Sequence, residues 1–178
     1  MSKRLREARD DELPTVGALH YHSRVAAYRG LLPAEALSFG SPEALGEWWS
    51  ERFRWERDTH QMTVAVKGGT IVGFTYVGPG EEPETAELYA IHVAPAHVGT
   101  GVGRDLMVNA LAGLAKHGDR AVLWVLEGND RARRFYEDGG WAADGTIRAA
   151  PMGGTEVRQL RYSRNLVAEP GGRERVTS

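Results

Sequence analysis

The strongest constraint on the fold of this chain is a run of alternating glycines, Gly99, Gly101 and Gly103, within residues 87–106. An apolar stretch with a proline precedes the glycines, and an amphipathic stretch from Val102 follows them. This order predicts a strand, a tight turn and a helix, because glycine permits a left-handed backbone and a close approach of a ligand. The unpaired N–H groups and the dipole at the helix start favour an anion, most naturally a phosphate or pyrophosphate.

Two familiar phosphate-binding turns are excluded by the residues around these glycines. A dinucleotide-binding fingerprint has a third glycine where this chain has Arg104, and the Gly-Lys-Ser/Thr ending of a P-loop is absent. An ordinary strand–helix turn is the remaining alternative. Three alternating glycines ahead of an amphipathic helix make that alternative the weaker one.

Length and composition predict a soluble protein with one domain. The chain has 178 residues, of which 42% are hydrophobic, and a formal net charge of −2, so it lacks a global basic field for nucleic acid. Cysteine is absent, which excludes disulfides and thiolate-bound metals, and the histidines show no convincing metal-ligand spacing. No signal peptide or membrane-spanning segment is apparent, so we expect a cytoplasmic protein without a membrane partner.

The remaining pattern predicts an α/β fold with a parallel strand pair. The strand before the glycines, the helix after them and the apolar run at 121–126 form a strand–helix–strand unit, which implies a right-handed crossover. A helix with an N-cap at Ser41 follows a first helix, and a long loop joins the two. We also expect a strand at 3–9, a hairpin around Gly68-Gly69, a helix from 102 to 117, a short helix from Asn129 to Asp138, an antiparallel pair near 145–148 and 157–162, and a disordered tail at 168–178.

Three local motifs occur in an informative order. The first is Val93-x-Pro95 before the glycine turn, and the second is the apolar strand that ends in Asn129. The third is the segment 131–141, in which an alanine, a Phe-Tyr pair and Gly-Gly-Trp succeed one another. Together they resemble the GCN5-related N-acetyltransferase (GNAT) superfamily over nearly the whole chain, as a single domain at 1–167.

The resemblance implies a fold and an activity. The fold is a mixed α/β, mostly antiparallel sheet in which one parallel β-α-β pair is splayed to hold coenzyme A. The activity is transfer of an acetyl group from acetyl-CoA, without a metal, to the primary amine of a small or amino-acid-like acceptor. Protein or peptide amine acetylation and a non-catalytic acyl-CoA-binding module are the alternatives, and a homodimer is common in the family.

The resemblance also implies the residues that contact acetyl-CoA. The amides of 98–104 would hold the pyrophosphate, the backbone of Ile91 and Val93 would pair with the pantetheine, and Asn129 and Ala132 would contact it from the other side. Val98 departs from the arginine or glutamine usual in the family, so a phosphate would depend on backbone amides, helped by Arg104. The implied set is Ile91, Val93, Val98, Gly99, Thr100, Gly101, Val102, Gly103, Arg104, Asn129, Ala132 and Tyr136.

Family position further implies catalytic roles. Tyr136 would protonate the departing thiolate, although a core aromatic is the alternative, and Glu87 would accept the proton of the amine, although a solvated strand-end charge fits equally well. His92 is a competing base that alternation turns away from the thioester. Tyr28 and Arg29 are candidates for the acceptor pocket, with packing and surface roles as alternatives. The helical spacing of Trp48, Trp49 and Trp55 favours core positions.

Overall fold

A mixed β-sheet forms the centre of the computed structural model, which describes residues 2–167. Within those residues the sheet has seven strands in the order β1-β2-β3-β4-β5-β7-β6, and all neighbours are antiparallel except β4 and β5. The predicted mixed α/β fold with one parallel pair is therefore confirmed. The strands are β1 Lys3–Glu7, β2 Gln61–Lys67, β3 Thr70–Pro79, β4 Thr85–Val93, β5 Arg120–Leu126, β6 Ala142–Met152 and β7 Thr155–Asn165.

Helices cover both faces of the sheet. Two long helices pack on one face and cross where Gly17 meets Gly46, because a methyl group at Gly17 would overlap the backbone of Gly46. Ser41 caps the second of them by accepting a hydrogen bond from the amide of Ala44 at 3.0 Å, as predicted. The helices are α1 Leu13–Tyr28, α2 Ala34–Leu37, α3 Pro42–Glu56, α4 Val102–Leu114 and α5 Asp130–Asp138.

The two faces have separate apolar cores. Leu13, Val16 and Trp49 of α1 and α3 pack on Phe74 and Tyr76 of β3, and this group defines the α1/α3 face. On the other side, which we call the α4/α5 face, side chains of α4 and α5 pack on the inward positions of β4 and β5. That core includes Leu88, Leu106, Met107, Ala110, Leu114, Leu123, Val125, Phe135 and Tyr136.

Several local expectations need correction. The predicted long loop after α1 contains α2, a single helical turn that propensity alone does not reveal. The helix after the glycine turn ends at Leu114 rather than at His117. Trp49 is buried as predicted, but Trp48 and Trp55 are 45% and 78% exposed, because α3 turns that side to solvent. The tail predicted at 168–178 lies outside the described residues.

The feature of the fold that creates a site is the separation of β4 from β5. The two strands pair only where Thr85–Glu87 meets Arg120–Val122, and beyond that point each continues without the other. A bulge at Tyr89 on β4, opposite Tyr76 and Val77, accompanies the separation. The result is an open gap in the middle of the sheet, with one unpaired edge of β4 along it.

Candidate active site

The glycine turn ends in an uncapped helix start. Gly99 and Gly101 have φ values of +79° and +89°, which explains why these two positions are glycine, and no atom lies within 4 Å of a methyl group placed on either. No side chain caps α4, so the N–H groups of Val102, Gly103 and Arg104 remain available. Open space in front of free amides is the arrangement that a phosphate requires.

Side chains contribute little to this cradle. Val98 is extended and 40% exposed, and it offers no donor. The hydroxyl of Thr100 is engaged in a hydrogen bond to the carbonyl of His97 at 2.6 Å. Arg104 is exposed at the first turn of α4, where it is the nearest cation in sequence to the glycines. Binding of an anion here would therefore depend on backbone amides, as we expected from the valine at position 98.

The gap continues from the cradle along β4. Ile91 and Val93 pair with Thr75 and Gly73 of β3 on one side, and their other side faces the gap. An extended ligand can add to such an edge as a strand does. On the far side, Asn129 caps α5, its side-chain oxygen accepting a hydrogen bond from the amide of Ala132 at 3.2 Å.

That cap gives Asn129 and Ala132 a structural role. The side-chain oxygen of Asn129 accepts the hydrogen bond from the backbone amide of Ala132, so these two groups are already engaged. The side-chain NH₂ of Asn129 makes no hydrogen bond to any residue within 2–167. Ala132 is half-buried against the α4/α5 core. A pantetheine contact of Asn129 through this NH₂ stays a prediction.

Tyr136 lies among aromatic rings on the α4/α5 face. Tyr136 projects from α5, with its ring centroid 6.2 Å from that of Tyr162 and 6.5 Å from that of Trp141. Burial raises the pKa of Tyr136 well above its ordinary value, and the phenol of Tyr28, which arrives from α1, raises it further. Tyr136 is therefore protonated at neutral pH and can donate a proton but not accept one.

The helix that carries Tyr136 is held by a polar chain. The Nε of Arg133 donates to the hydroxyl of Tyr162 at 3.1 Å, and that hydroxyl donates to a carboxylate oxygen of Glu137 at 2.8 Å. Because Tyr162 is fully buried on β7, these bonds fix the α5 helix against the sheet. The position of Tyr136 beside the gap follows from this attachment.

Glu87 stands at the last paired position before β4 and β5 separate. Its side chain is buried and makes no hydrogen bond within residues 2–167. Burial raises the pKa of Glu87, while the guanidinium groups of Arg148, Arg52 and Arg161 oppose that rise. A carboxylate that is partly desolvated and has free oxygens is suited to accept a proton.

Charged side chains surround Glu87 on the α1/α3 face. Arg52 is bonded to Glu56 at 2.8 Å, and Arg161 is bonded to Asp144 at 2.7 Å. Arg148 instead stacks over the ring of Trp124 at 4.1 Å and donates to Gln159 at 2.7 Å. Sequence reasoning missed both Trp124 and Arg148, although a tryptophan within the apolar run at 121–126 was a usable signal.

His92 belongs to a second buried cluster beneath α1. Its ring is 4.3 Å from that of His20, its Nδ1 is 3.1 Å from the hydroxyl of Ser23, and it stacks on Phe74. Burial lowers the pKa of His92 and lowers that of His20 to about 4, so both rings are neutral near pH 7. His92 and His20 are thus both packed against Phe74 on the α1/α3 face.

A groove of about 300 Å³ lies between the segment that follows α1, the end of β5 and the start of β7, and it is lined by Leu31–Pro33, Leu126–Gly128 and Thr155–Arg158. None of the predicted site residues is among these lining residues. Of the two residues predicted for the acceptor pocket, Tyr28 is half-buried at the end of α1 and Arg29 is exposed. A wider concavity of about 500 Å³ between β1 and α4 contains none of the predicted site residues.

Comparison with known proteins identifies the family. The pattern of the Acetyltransferase (GNAT) family matches residues 27–141. The protein named probable N-acetyltransferase Rv2775, from Mycobacterium tuberculosis, is 31% identical over 94% of this chain and 97% of its own length. The chain belongs to the GNAT family. It is therefore an N-acetyltransferase by family, as the sequence motifs predicted.

Two further acetyltransferases are similar to this chain in sequence or in fold. Mycothiol acetyltransferase of Thermobispora bispora is 32% identical over 64% of this chain, which spans 43% of that protein. The PaiA N-acetyltransferase of Thermoplasma acidophilum, solved in complex with coenzyme A, has the same fold with a TM-score of 0.77 and 18% identity, over 93% of this chain and 99% of the other.

Two classes of feature are not seen in the described part of the chain. Between residues 2 and 167 no helix is long and apolar enough to cross a bilayer. Over the same range no cluster of three or more histidine, aspartate or glutamate side chains could hold a metal ion.

Proposed function

We propose that this GNAT protein transfers the acetyl group of acetyl-CoA to the primary amine of a small acceptor, with Glu87 as base and Tyr136 as acid. The observation that carries the proposal is the gap between β4 and β5. It joins an uncapped helix start at one end to a buried carboxylate at the other, and Tyr136 lies beside it.

The residues present fit coenzyme A. Free amides of α4 behind Gly99 and Gly101 would hold the pyrophosphate, and the unpaired edge of β4 at Ile91 and Val93 would hold the pantetheine. When bound, acetyl-CoA supplies an activated thioester. The relative solved with coenzyme A has the same fold, which supports this placement.

Glu87 and Tyr136 would move the protons that the transfer requires. An alkylamine has a pKa of about 10 and is protonated at pH 7, so it must lose a proton to become a nucleophile. Glu87, on the α1/α3 face, would accept that proton directly or through water. Tyr136, on the α4/α5 face, would donate its hydroxyl proton to the sulfur that leaves as the new amide forms, and the second proton that the nitrogen loses in this step would restore the hydroxyl by way of solvent.

The shape of the acceptor side favours a small molecule. The segment between α1 and α3 reaches across to the β6–β7 hairpin, where Gly153 packs against Ala36 and Phe39 without room for a methyl group. Arg24 ties the same segment to α1 through the carbonyl of Phe39 at 2.6 Å. This bridge fixes the segment between α1 and α3 against the β6–β7 hairpin, and a groove of about 300 Å³ lies beside the segment, a volume at the lower end for small-molecule sites.

A panel assay tests the proposal. Thiol release from acetyl-CoA would be followed with amino acids, polyamines, aminoglycosides and peptides with free N-termini. We expect turnover with small amines and little with peptides. Turnover with peptides alone would support the protein-acetylating alternative, and coenzyme A binding without any turnover would support a non-catalytic module. A homodimer and a cytoplasmic location stay predictions.

A further inference from the structure

Arg24 differs from two other arginines on the α1/α3 face. Arg52 and Arg161 each form an ion pair with a carboxylate. Within residues 2–167 Arg24 forms none: its Nη2 donates to the carbonyl of Phe39 at 2.6 Å, and its guanidinium lies 5.5 Å from the centre of the Tyr21 ring. Its Nε is buried and has no hydrogen-bond partner among those residues. A buried guanidinium N–H without a partner is unusual in a folded protein.

No carboxylate of residues 2–167 lies within ion-pair distance of Arg24. The groups that experience its charge are His20, His92 and Tyr28, and all three are neutral near pH 7. The pKa values of the two histidines are lowered by burial and by Arg24, and the pKa of Tyr28 is raised by burial. No carboxylate perturbs any of the three. An uncompensated charge in such a place is unfavourable, and an anion from outside the chain would compensate it.

The position of Arg24 connects this charge with the reaction. Ser23, the residue before Arg24, lies 3.1 Å from the Nδ1 of His92, a residue of β4 beyond the point where that strand separates from β5. A ligand group bound to the guanidinium of Arg24 would therefore lie near the β4 side of the gap. The pyrophosphate cradle is on the α4/α5 face, so it does not supply this anion.

We infer that Arg24 binds a carboxylate of the acceptor, which makes the substrate an amine that also carries a carboxylate, such as an amino acid. This inference rests on the proposed function and narrows its acceptor. A carboxylate would accept the free Nε–H together with a second guanidinium N–H, the two-point geometry for which arginine is suited. The amine of the same molecule would then lie toward the gap.

Matched substrates test this inference. The kcat/KM values for each common L-amino acid and its carboxamide would be compared in the unmodified protein, in Arg24→Gln and in Arg54→Gln, an exposed arginine of α3 without an ion pair. For the best acceptor we expect the acid to be preferred over its amide by roughly 10- to 100-fold, on the scale of charge-assisted hydrogen bonds. Arg24→Gln should abolish this preference by slowing the acid alone, and Arg54→Gln should keep it.

The outcomes separate this inference from the proposed function. Equal use of acid and amide by the unmodified protein, or an equal loss of both in Arg24→Gln, would overturn the inference while acetylation itself stands. If no amine is acetylated, the proposed function fails. In that case, calorimetry would measure the binding of the same amino acids to the protein saturated with coenzyme A. Binding that is lost in Arg24→Gln would support the inference, and binding that is absent, or that is unchanged in Arg24→Gln, would overturn it.

Discussion

The two faces of the sheet differ in the groups that they present to a ligand. On the α4/α5 face, the anion cradle consists of backbone amides between Gly99 and Arg104, and the surrounding core is apolar. On the α1/α3 face, Arg52 and Arg161 form ion pairs with Glu56 and Asp144, Arg148 stacks on Trp124, and the charges of all three arginines act on Glu87. Backbone amides suit a cofactor that never varies, because they are present whatever the side chains are. Side chains suit an acceptor that differs between relatives, because they can change with the acceptor.

The gap between β4 and β5 connects the two faces of the sheet. Tyr136 comes from one face and Tyr28 from the other, and Glu87 marks the point at which the strands separate. We therefore expect substitutions in the glycine turn and substitutions of the proposed acid and base to affect different steps. Changes in the glycine turn should alter coenzyme A affinity, and changes at Glu87 or Tyr136 should alter turnover.

The largest expected effect is that of Tyr136→Phe. Removal of the hydroxyl leaves the ring packed but withdraws the proton donor, so kcat should fall by roughly 10²- to 10⁴-fold, the usual range for general acid catalysis. Coenzyme A affinity, measured by calorimetry, should change little. Tyr21→Phe, on the outer part of α1, is the control and should keep full activity. Comparable activity of the two variants would remove Tyr136 from the acid role.

Glu87→Gln should lower kcat/KM by roughly 10²-fold at pH 7 and change its pH dependence. Glu87 accepts a proton only when ionised, so the rate should fall as the pH drops through its pKa, which burial raises above the ordinary value of about 4.3. The glutamine variant should lack this acid limb. Glu84→Gln, at an exposed turn, is the matched control. An unchanged limb in Glu87→Gln would assign the base to another group.

Gly101→Ala tests the backbone cradle against a glycine of similar geometry. Gly101 and Gly69 have φ values of +89° and +82°, and both have open space in front of them. Alanine at either position should lower the free energy of unfolding by about 1 to 2 kcal/mol. Only Gly101→Ala should also weaken coenzyme A binding, by roughly tenfold, because the methyl group enters the phosphate path. Equal coenzyme A affinities would place the cofactor elsewhere.

Val98→Arg should have the smallest effect. A guanidinium at the head of the glycine turn adds a phosphate donor, so coenzyme A should bind more tightly by roughly fivefold, the scale of one net hydrogen bond. The control is Val108→Arg on the exposed side of α4, which should leave affinity unchanged. If both variants bind like the unmodified protein, the backbone amides alone are sufficient.

The contrast between the two faces also explains which features could be predicted from the sequence. The strand, the glycine turn and the α4 helix are adjacent in sequence, so their pattern predicted the parallel pair and the helix start after the turn, whereas anion binding at that turn stays a prediction. The acceptor side joins residues far apart in the chain, such as Arg24 on α1, Trp124 on β5 and Arg148 on β6. No local pattern contains that arrangement. The exposure of Trp48 and Trp55 was missed for a related reason, since helical spacing does not show which face is covered.

Amide hydrogen exchange with and without coenzyme A tests the central claim most directly, because it needs no knowledge of the acceptor. If the cofactor occupies the gap between β4 and β5, protection should increase at residues 98–104, along β4 beyond Glu87 and at the start of α5. The α3 helix and the concavity between β1 and α4 should be unaffected. Protection centred on that concavity, or none at the glycine turn, would contradict the account.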